Sequence, residues 1–255
     1  MTILEKITQF KRQEVAEQKR RGIPEPEWEP GPKRGFRQAL MEPRAISLIA
    51  EVKKASPSKG LLCPDFDPVA IAQDYEQAGA AAVSVLTDTE FFQGSLDYLP
   101  LIRKVIRLPL LRKDFIIDHF QVDQADVYGA DAILLIVAIL DPVLMHELMA
   151  HARENGLDCL VEVHDEAEAE VALKADADLI GVNNRNLKDF SVSLDTTFRI
   201  RNAVPDDVPL VSESGISTAQ EIKRLEEHGI CAVLIGESLV TARDRQAKLQ
   251  ELMQL

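Results

Sequence analysis

From about residue 46 onward, short apolar runs alternate with amphipathic stretches along the chain. The runs at 46–54, 81–87, 108–115, 131–137, 157–164, 178–184, 208–215 and 231–238 are rich in Val, Ile and Leu, as strands buried on both faces of a parallel sheet must be. Between them, helical periodicity predicts helices over 68–79, 95–105, 118–129, 141–156, 165–175, 194–203 and 218–228, with a last helix running towards the C-terminus. Start and stop signals support the first of these: Asp67 can cap it, Pro68 suits its first position and Gly79 lies beyond its end. Pro100 disturbs the second. Eight strand–helix units with short connections predict an α/β fold of the (β/α)8 TIM-barrel type.

The first 45 residues fall outside that count. Thr2 to Arg21 predicts an amphipathic helix with Ile3, Ile7 and Phe10 on one face. Pro24, Pro26, Pro30 and Pro32 then predict an irregular connector. The segment reads as a lid or plug, so that 1–255 forms a single TIM-barrel domain with an N-terminal helical extension (1–45) and a barrel (46–255).

Composition agrees with this picture. The 255 residues match the roughly 250 typical of one barrel. Aromatic residues make up only 5%, so the core must be aliphatic. The net charge of −13 argues against a nucleic-acid partner and against docking on anionic membranes. It leaves room for an anionic small molecule held by a local cluster of Lys and Arg. Cys63, Cys159 and Cys231 are odd in number and far apart, with no metal-ligand spacing, and read as reduced core thiols of a cytoplasmic protein. No signal peptide and no apolar run near the roughly 18 residues of a membrane span is present.

Candidate chemistry comes from where the charges fall. Apolar strands end in polar residues at their C-terminal ends, the face that carries the active site in this fold. The first strand ends in Glu51 and Lys53, the third in Lys113, the fifth in Glu162 and His164, the sixth in Asn183 and Arg185, and the seventh in Glu213 and Ser214. Residues two apart share a face, so these pairs point together. Charges converging on one cavity must pair, and their pKa values shift, which is how acid–base sites are built. Taken alone, His164 reads as a strand-end histidine without a chemical role, and Asp88, Asp114 and Asp165 as caps or salt-bridge partners. A second signal follows the seventh and eighth strands, where SESGIS (212–217) and IGES (235–238) offer Gly-containing turns whose backbone N–H groups can approach a phosphate.

The same residues carry a resemblance. IAEVKKASPSKG (49–60), SVLTDTEFFQGS (84–95), LLRKDFIID (110–118), LVEVHDEAE (160–168), GVNNRNL (181–187), VSESGIS (211–217) and LIGESL (234–239) stand in the order seen in indole-3-glycerol phosphate synthases, and the N-terminal ILEKI (3–7) is similar to that family's extension. The resemblance implies conversion of 1-(2-carboxyphenylamino)-1-deoxyribulose 5-phosphate to indole-3-glycerol phosphate, CO2 and water in tryptophan biosynthesis. It implies no metal and no organic cofactor, a small-molecule substrate, and is compatible with a monomer.

It also implies roles. Lys113 becomes the general acid on the substrate ketone, and Glu162 assists proton transfer in the dehydration. Lys53 pairs with the substrate carboxylate and takes part in proton transfer, with Glu51 pairing with the lysines and tuning them. Asn183 orients the ring-closing geometry, and Arg185, Glu213 and Ser214 complete the site. Ser56, Lys59, Gly215, Gly236 and the backbone of Glu237 hold the phosphate. Phe92, Phe115, Leu134, Ile136 and Leu187 form an apolar wall for the anthranilate ring. Lys53 and Lys113 are expected to face one another, their repulsion lowering the pKa of the acid. At position 237 the sequence departs from family members that carry a second Ser, and an ionised glutamate side chain cannot donate to phosphate.

Two other readings stay open at this point. One is another sugar-phosphate barrel such as a phosphoribosylanthranilate isomerase, which relies on a Cys/Asp or Asp/Asp pair at strand ends. Cys159 and Cys231 instead open their strands. The other is a non-catalytic barrel that binds a phosphometabolite, since fold alone does not establish function.

Overall fold

The computed structural model describes residues 2–24, 28–42, 45–187 and 189–254, so Pro26 of the connector lies outside the described residues. In chain order, α1 (Ile3–Arg21) and α2 (Phe36–Met41) precede β1 (Ser47–Val52), a small hairpin of β2 (Ala55–Ser56) and β3 (Gly60–Leu61), and α3 (Pro68–Gln77). Next come β4 (Ala82–Leu86), α4 (Tyr98–Arg103), β5 (Leu110–Lys113), α5 (His119–Val127), β6 (Ala132–Ile136) and α6 (Pro142–Glu154). The chain continues through β7 (Asp158–Val163), α7 (Glu166–Lys174), β8 (Ile180–Asn183), α8 (Asp195–Ala203), β9 (Leu210–Glu213), α9 (Ala219–Glu227), β10 (Ala232–Ile235), α10 (Glu237–Val240) and α11 (Arg245–Met253).

All the expected strands form, and they close into a parallel barrel in which β1 pairs with both β4 and β10. The fold is therefore a (β/α)8 TIM barrel. Boundaries follow local chemistry. Asp67 accepts from the Val69 and Ala70 N–H groups at the start of α3, and Asp165 caps α7 through Glu168 N–H. The helix expected over 95–105 contracts to Tyr98–Arg103, which puts Pro100 in its first turn, where N–H groups lack intrahelical partners anyway.

Two apolar layers result. Outward-facing Leu48, Ala50 and Val52 of β1, with their counterparts on the other strands, pack under the helices. Inward-facing Ile49, Leu111, Leu134, Leu160, Val211 and Leu234 fill the barrel itself. Towards the C-terminal ends of β1, β5, β7, β8 and β9, the inward positions turn polar: Glu51 and Lys53, Lys113, Glu162, Asn183, Glu213. The apolar core thus becomes a floor under a charged mouth.

The N-terminal segment works at both ends. Along α1, Ile3, Leu4 and Ile7 face the mouth, while Phe10 meets Phe91 edge-on at 5.8 Å. Thr2 and Glu5 form a capping box at its start. The connector is pinned along the barrel wall by Arg103, which donates to the carbonyls of Pro30 and Pro32. It ends in α2, which the proline-rich pattern did not reveal: Phe36 and Leu40 are fully buried among the inward-facing residues and close the bottom of the barrel. No helix among the described residues is long and apolar enough to cross a membrane.

Candidate active site at the C-terminal mouth of the barrel

A cavity of about 410 Å³ opens where the strands end. Glu51, Lys53, Lys113, Glu162, Asn183, Arg185, Glu213 and Ser214 all line it. So do Ser56, Gly215, Gly236 and Glu237 on one side, and Phe92, Phe115, Leu134, Ile136 and Leu187 on the other. Lys59 does not line the cavity; it sits at the rim and reaches Glu237 Oε1 at 3.5 Å. The loop that carries it folds as the β2–β3 hairpin, tied by Leu62 N–H to Lys54 O at 2.9 Å.

The electrostatic centre is Lys113. Its ammonium donates to Glu162 Oε2 at 3.1 Å and to Glu213 Oε2. Burial alone would lower its pKa, but Glu213 and Glu162 outweigh burial and hold it above the usual lysine range. The expected lowering by a facing Lys53 is therefore corrected. Lys53 pairs instead with Glu51 at 2.5 Å, so each lysine meets a carboxylate of its own. Burial pushes Glu213 the other way, up to about 7, against the pull of Lys113 and with the help of Glu162. Glu162 is also buried, yet Lys113, His164 and Asn183 outweigh that burial and hold it below the usual carboxylate range.

Hydrogen bonds fix the rest of the rim. Asn183 Nδ2 donates to Glu162 Oε1 at 3.3 Å, and Ser214 Oγ donates to Asn183 Oδ1 at 2.9 Å. Ser214 takes a left-handed backbone with φ 68, unusual for a serine, and Asn184 Nδ2 anchors it by donating to its carbonyl at 3.2 Å. Asn184 itself is held by Ser212 and Thr197 in a buried polar network. Two glycines make room for carboxylates. A Cβ on Gly181 would collide with Glu213 Oε1, and one on Gly236 would collide with Glu51 Oε1 and stand 3.0 Å from Lys53 Nζ.

At position 237 the side chain has contacts of its own. The Glu237 carboxylate stands 3.5 Å from Lys59 Nζ and 3.9 Å from an Arg185 nitrogen, so its side chain, and not only its backbone, belongs to the cationic rim. His164 likewise does not stand apart: its Nε2 lies 3.4 Å from Glu162 Oε1. Of the cysteines, Cys63 and Cys159 are buried, Cys231 is half-buried, and all three are free.

Several contributors were not singled out from the sequence. Pro57, Ser58 and Phe190 complete the cavity wall, with Leu4 of α1. Phe190 sits in a loop with no strand or helix period to reveal its direction. The Gly181 requirement depends on a residue in the neighbouring strand. Only the shared face of Glu162 and His164 offered an advance signal.

Comparisons with known proteins point to one family. The family model described as indole-3-glycerol phosphate synthase matches residues 4–252. An indole-3-glycerol phosphate synthase of Desulfotalea psychrophila is 57% identical over 242 residues, covering 93% of this chain and 93% of the relative. One from Chlorobium luteolum is 51% identical over 249 residues, covering 96% of this chain and 95% of the relative. Among solved structures, 3-hexulose-6-phosphate synthase from Salmonella typhimurium superposes with a TM-score of 0.67 at 16% identity, covering 82% of this chain and 97% of that one, a likeness of fold. With its family model spanning nearly the whole chain and relatives above half identity, this chain belongs to the indole-3-glycerol phosphate synthase family.

Proposed function

We propose that this chain closes the indole ring, converting 1-(2-carboxyphenylamino)-1-deoxyribulose 5-phosphate to indole-3-glycerol phosphate with loss of CO2 and water. The observation that carries this reading is Lys113, ion-paired with Glu162 and Glu213 in a cavity with an apolar wall on one side and a cationic rim on the other.

The chemistry proceeds from those groups. The anthranilate ring packs against the apolar wall made by Phe92 and Phe115, themselves a tilted pair with centroids 6.1 Å apart, and by Leu134 and Ile136. Phosphate binds at Ser56, Lys59, Gly215 and Gly236, drawing Lys59 and Arg185 away from Glu237. Lys53 exchanges its partner Glu51 for the substrate carboxylate. Carbon–carbon bond formation then places negative charge on the ketone oxygen, and Lys113 delivers a proton to it. An alkoxide is a stronger base than even a lysine held above its usual range, so the transfer runs downhill. Loss of CO2 follows, and Glu162, held by Asn183, assists the proton transfer that lets the hydroxyl leave as water. The three free cysteines fit a reducing cytoplasm.

The test is direct: purified protein is mixed with the carboxyphenylamino-deoxyribulose phosphate in EDTA, and indole fluorescence is followed. Appearance of indole-3-glycerol phosphate is expected. Tight substrate binding without product would instead favour a phosphometabolite-binding barrel.

A further inference from the structure

His164 directly follows β7, two residues beyond Glu162, and lies outside the lining of the cavity. Its side chain is only 14% exposed. The Nδ1 atom lies 3.0 Å from Glu168 Oε2, and that same oxygen accepts the His164 backbone N–H at 2.8 Å. Asp165 caps α7 and fixes its first turn, so Glu168 is held in place from two directions. An ionised carboxylate can only accept, which makes Nδ1 an N–H donor. The other nitrogen, Nε2, is buried, points towards Glu162 Oε1 at 3.4 Å and has no hydrogen-bond partner among the described residues. A neutral imidazole in this orientation would aim a lone pair at a carboxylate. The contact is favourable only when one proton lies between the two atoms.

We propose that Glu168, His164 and Glu162 form a proton relay, in which His164 is the positioning residue that recharges Glu162 during turnover. The proposal rests on the reading of Glu162 as the acid of the dehydration and extends it with a source for the proton. In the resting state the shared proton is on Nε2. It passes to Glu162 Oε1, leaving a neutral imidazole with its Nδ1–H on Glu168. Glu162 then gives that proton to the departing hydroxyl, the C–O bond breaks with its electron pair going to oxygen, water leaves, and the adjacent ring carbon gives its proton to the Lys113 amine that ring closure left neutral. The pair is one proton short and regains it from solvent through the cavity, which Glu162 lines, once the product has left.

Charge around the imidazole holds the resting proton on it. Glu162 on β7, Glu168 on α7 and Glu213 on β9 all raise the His164 pKa, and together they outweigh the lowering by burial. Lys113 on β5 opposes them from the far side of Glu162, with Asn183 on β8 holding Oε1 as the other partner.

The experiment combines kinetics and NMR on the full chain. In His164→Asn, kcat is expected to fall about 10-fold with KM within a factor of about two. Its alkaline limb, where the pair loses its proton, should move to lower pH. Glu168→Gln should move the limb the same way by less. In parallel, the His164 Cε1 resonance, assigned by its absence in His164→Asn, is titrated in wild type and Glu162→Gln. Its titration should shift to lower pH in Glu162→Gln. A superimposable pH profile in a folded His164→Asn, or an unmoved His164 titration in Glu162→Gln, overturns the relay. If His164→Asn does not fold, the resonance is assigned through Glu168→Gln and the titration decides. A wild type that does not turn over the substrate would sink the function reading, and the titration would still judge the relay separately.

Discussion

Lys11, on the N-terminal helix, sets its ammonium 2.9 Å from Asp114, the residue that follows Lys113 on the barrel. The same nitrogen lies 2.8 Å from Asp88 and 2.7 Å from Glu14, and Lys11 is only 2% exposed. Asp114 in turn accepts from Thr87 at 2.6 Å and from Arg112 at 3.1 Å. The helix that covers the mouth is thus locked to the strand end that carries the acid, by a buried cluster in which every charge has a partner.

Breaking that lock should cost more than a surface ion pair would. Lys11→Met leaves buried carboxylates uncompensated, and a loss of about 3–5 kcal/mol of stability is expected, read as a lower urea midpoint. Acid should loosen the same joint. Burial lifts the Asp114 pKa, but Lys11 and Arg112 outweigh it and hold the carboxyl below its usual range. A carboxyl depressed in the folded state contributes stability above its unfolded pKa and loses it as pH falls through the folded value. Protection of the α1 amides in hydrogen exchange should therefore drop on acidification, and drop less in Asp114→Asn. Equal acid sensitivity in both proteins would count against the cluster as the lock.

Glu213 should leave the opposite mark. Burial raises its pKa from 4.5 to about 7, so between those values the folded protein holds a proton that the unfolded chain has released. Its contribution to stability is present below pH 4.5 and is lost as pH rises towards 7. Glu213→Gln removes this decline while keeping the side chain's size. Urea midpoints measured from pH 5 to 8 should fall less steeply in the variant, and parallel curves would contradict the assignment.

The barrel and its charged mouth were legible because both come from short-range pattern. Strands such as Leu110–Lys113 announce themselves by apolar runs, and the inward period of two carries Ile49 on to Glu51 and Leu111 on to Lys113. What stayed hidden depends on partners distant in sequence. Nothing near Phe36 and Leu40 says that a proline-rich segment ends in a helix plugging the barrel from below. The state of Lys113 could not be read either, because it depends on whether Lys53 or the carboxylates of Glu162 and Glu213 stand nearest. The role of Glu237 was half visible: its unsuitability as a phosphate donor follows from its chemistry, but its attachment to Lys59 and Arg185 follows only from the fold.

That attachment makes its own prediction. Glu237 holds the rim cations and repels an incoming dianion, so Glu237→Gln should bind phosphate more tightly. Inhibition by inorganic phosphate should strengthen about two- to five-fold at low salt, with a smaller gain at high salt as screening sets in. Weaker inhibition in the variant would mean that the carboxylate supports the phosphate site instead of competing with it.

Ring closure as proposed turns on Lys113 as its proton donor. The measurement that tests it most directly is single-turnover kinetics of Lys113→Ala on the carboxyphenylamino-deoxyribulose phosphate, with substrate affinity measured separately by titration. A loss of at least about 10²-fold in the rate of product formation is expected, with affinity mostly intact. An unchanged rate would contradict the assignment and move the acid elsewhere in the mouth.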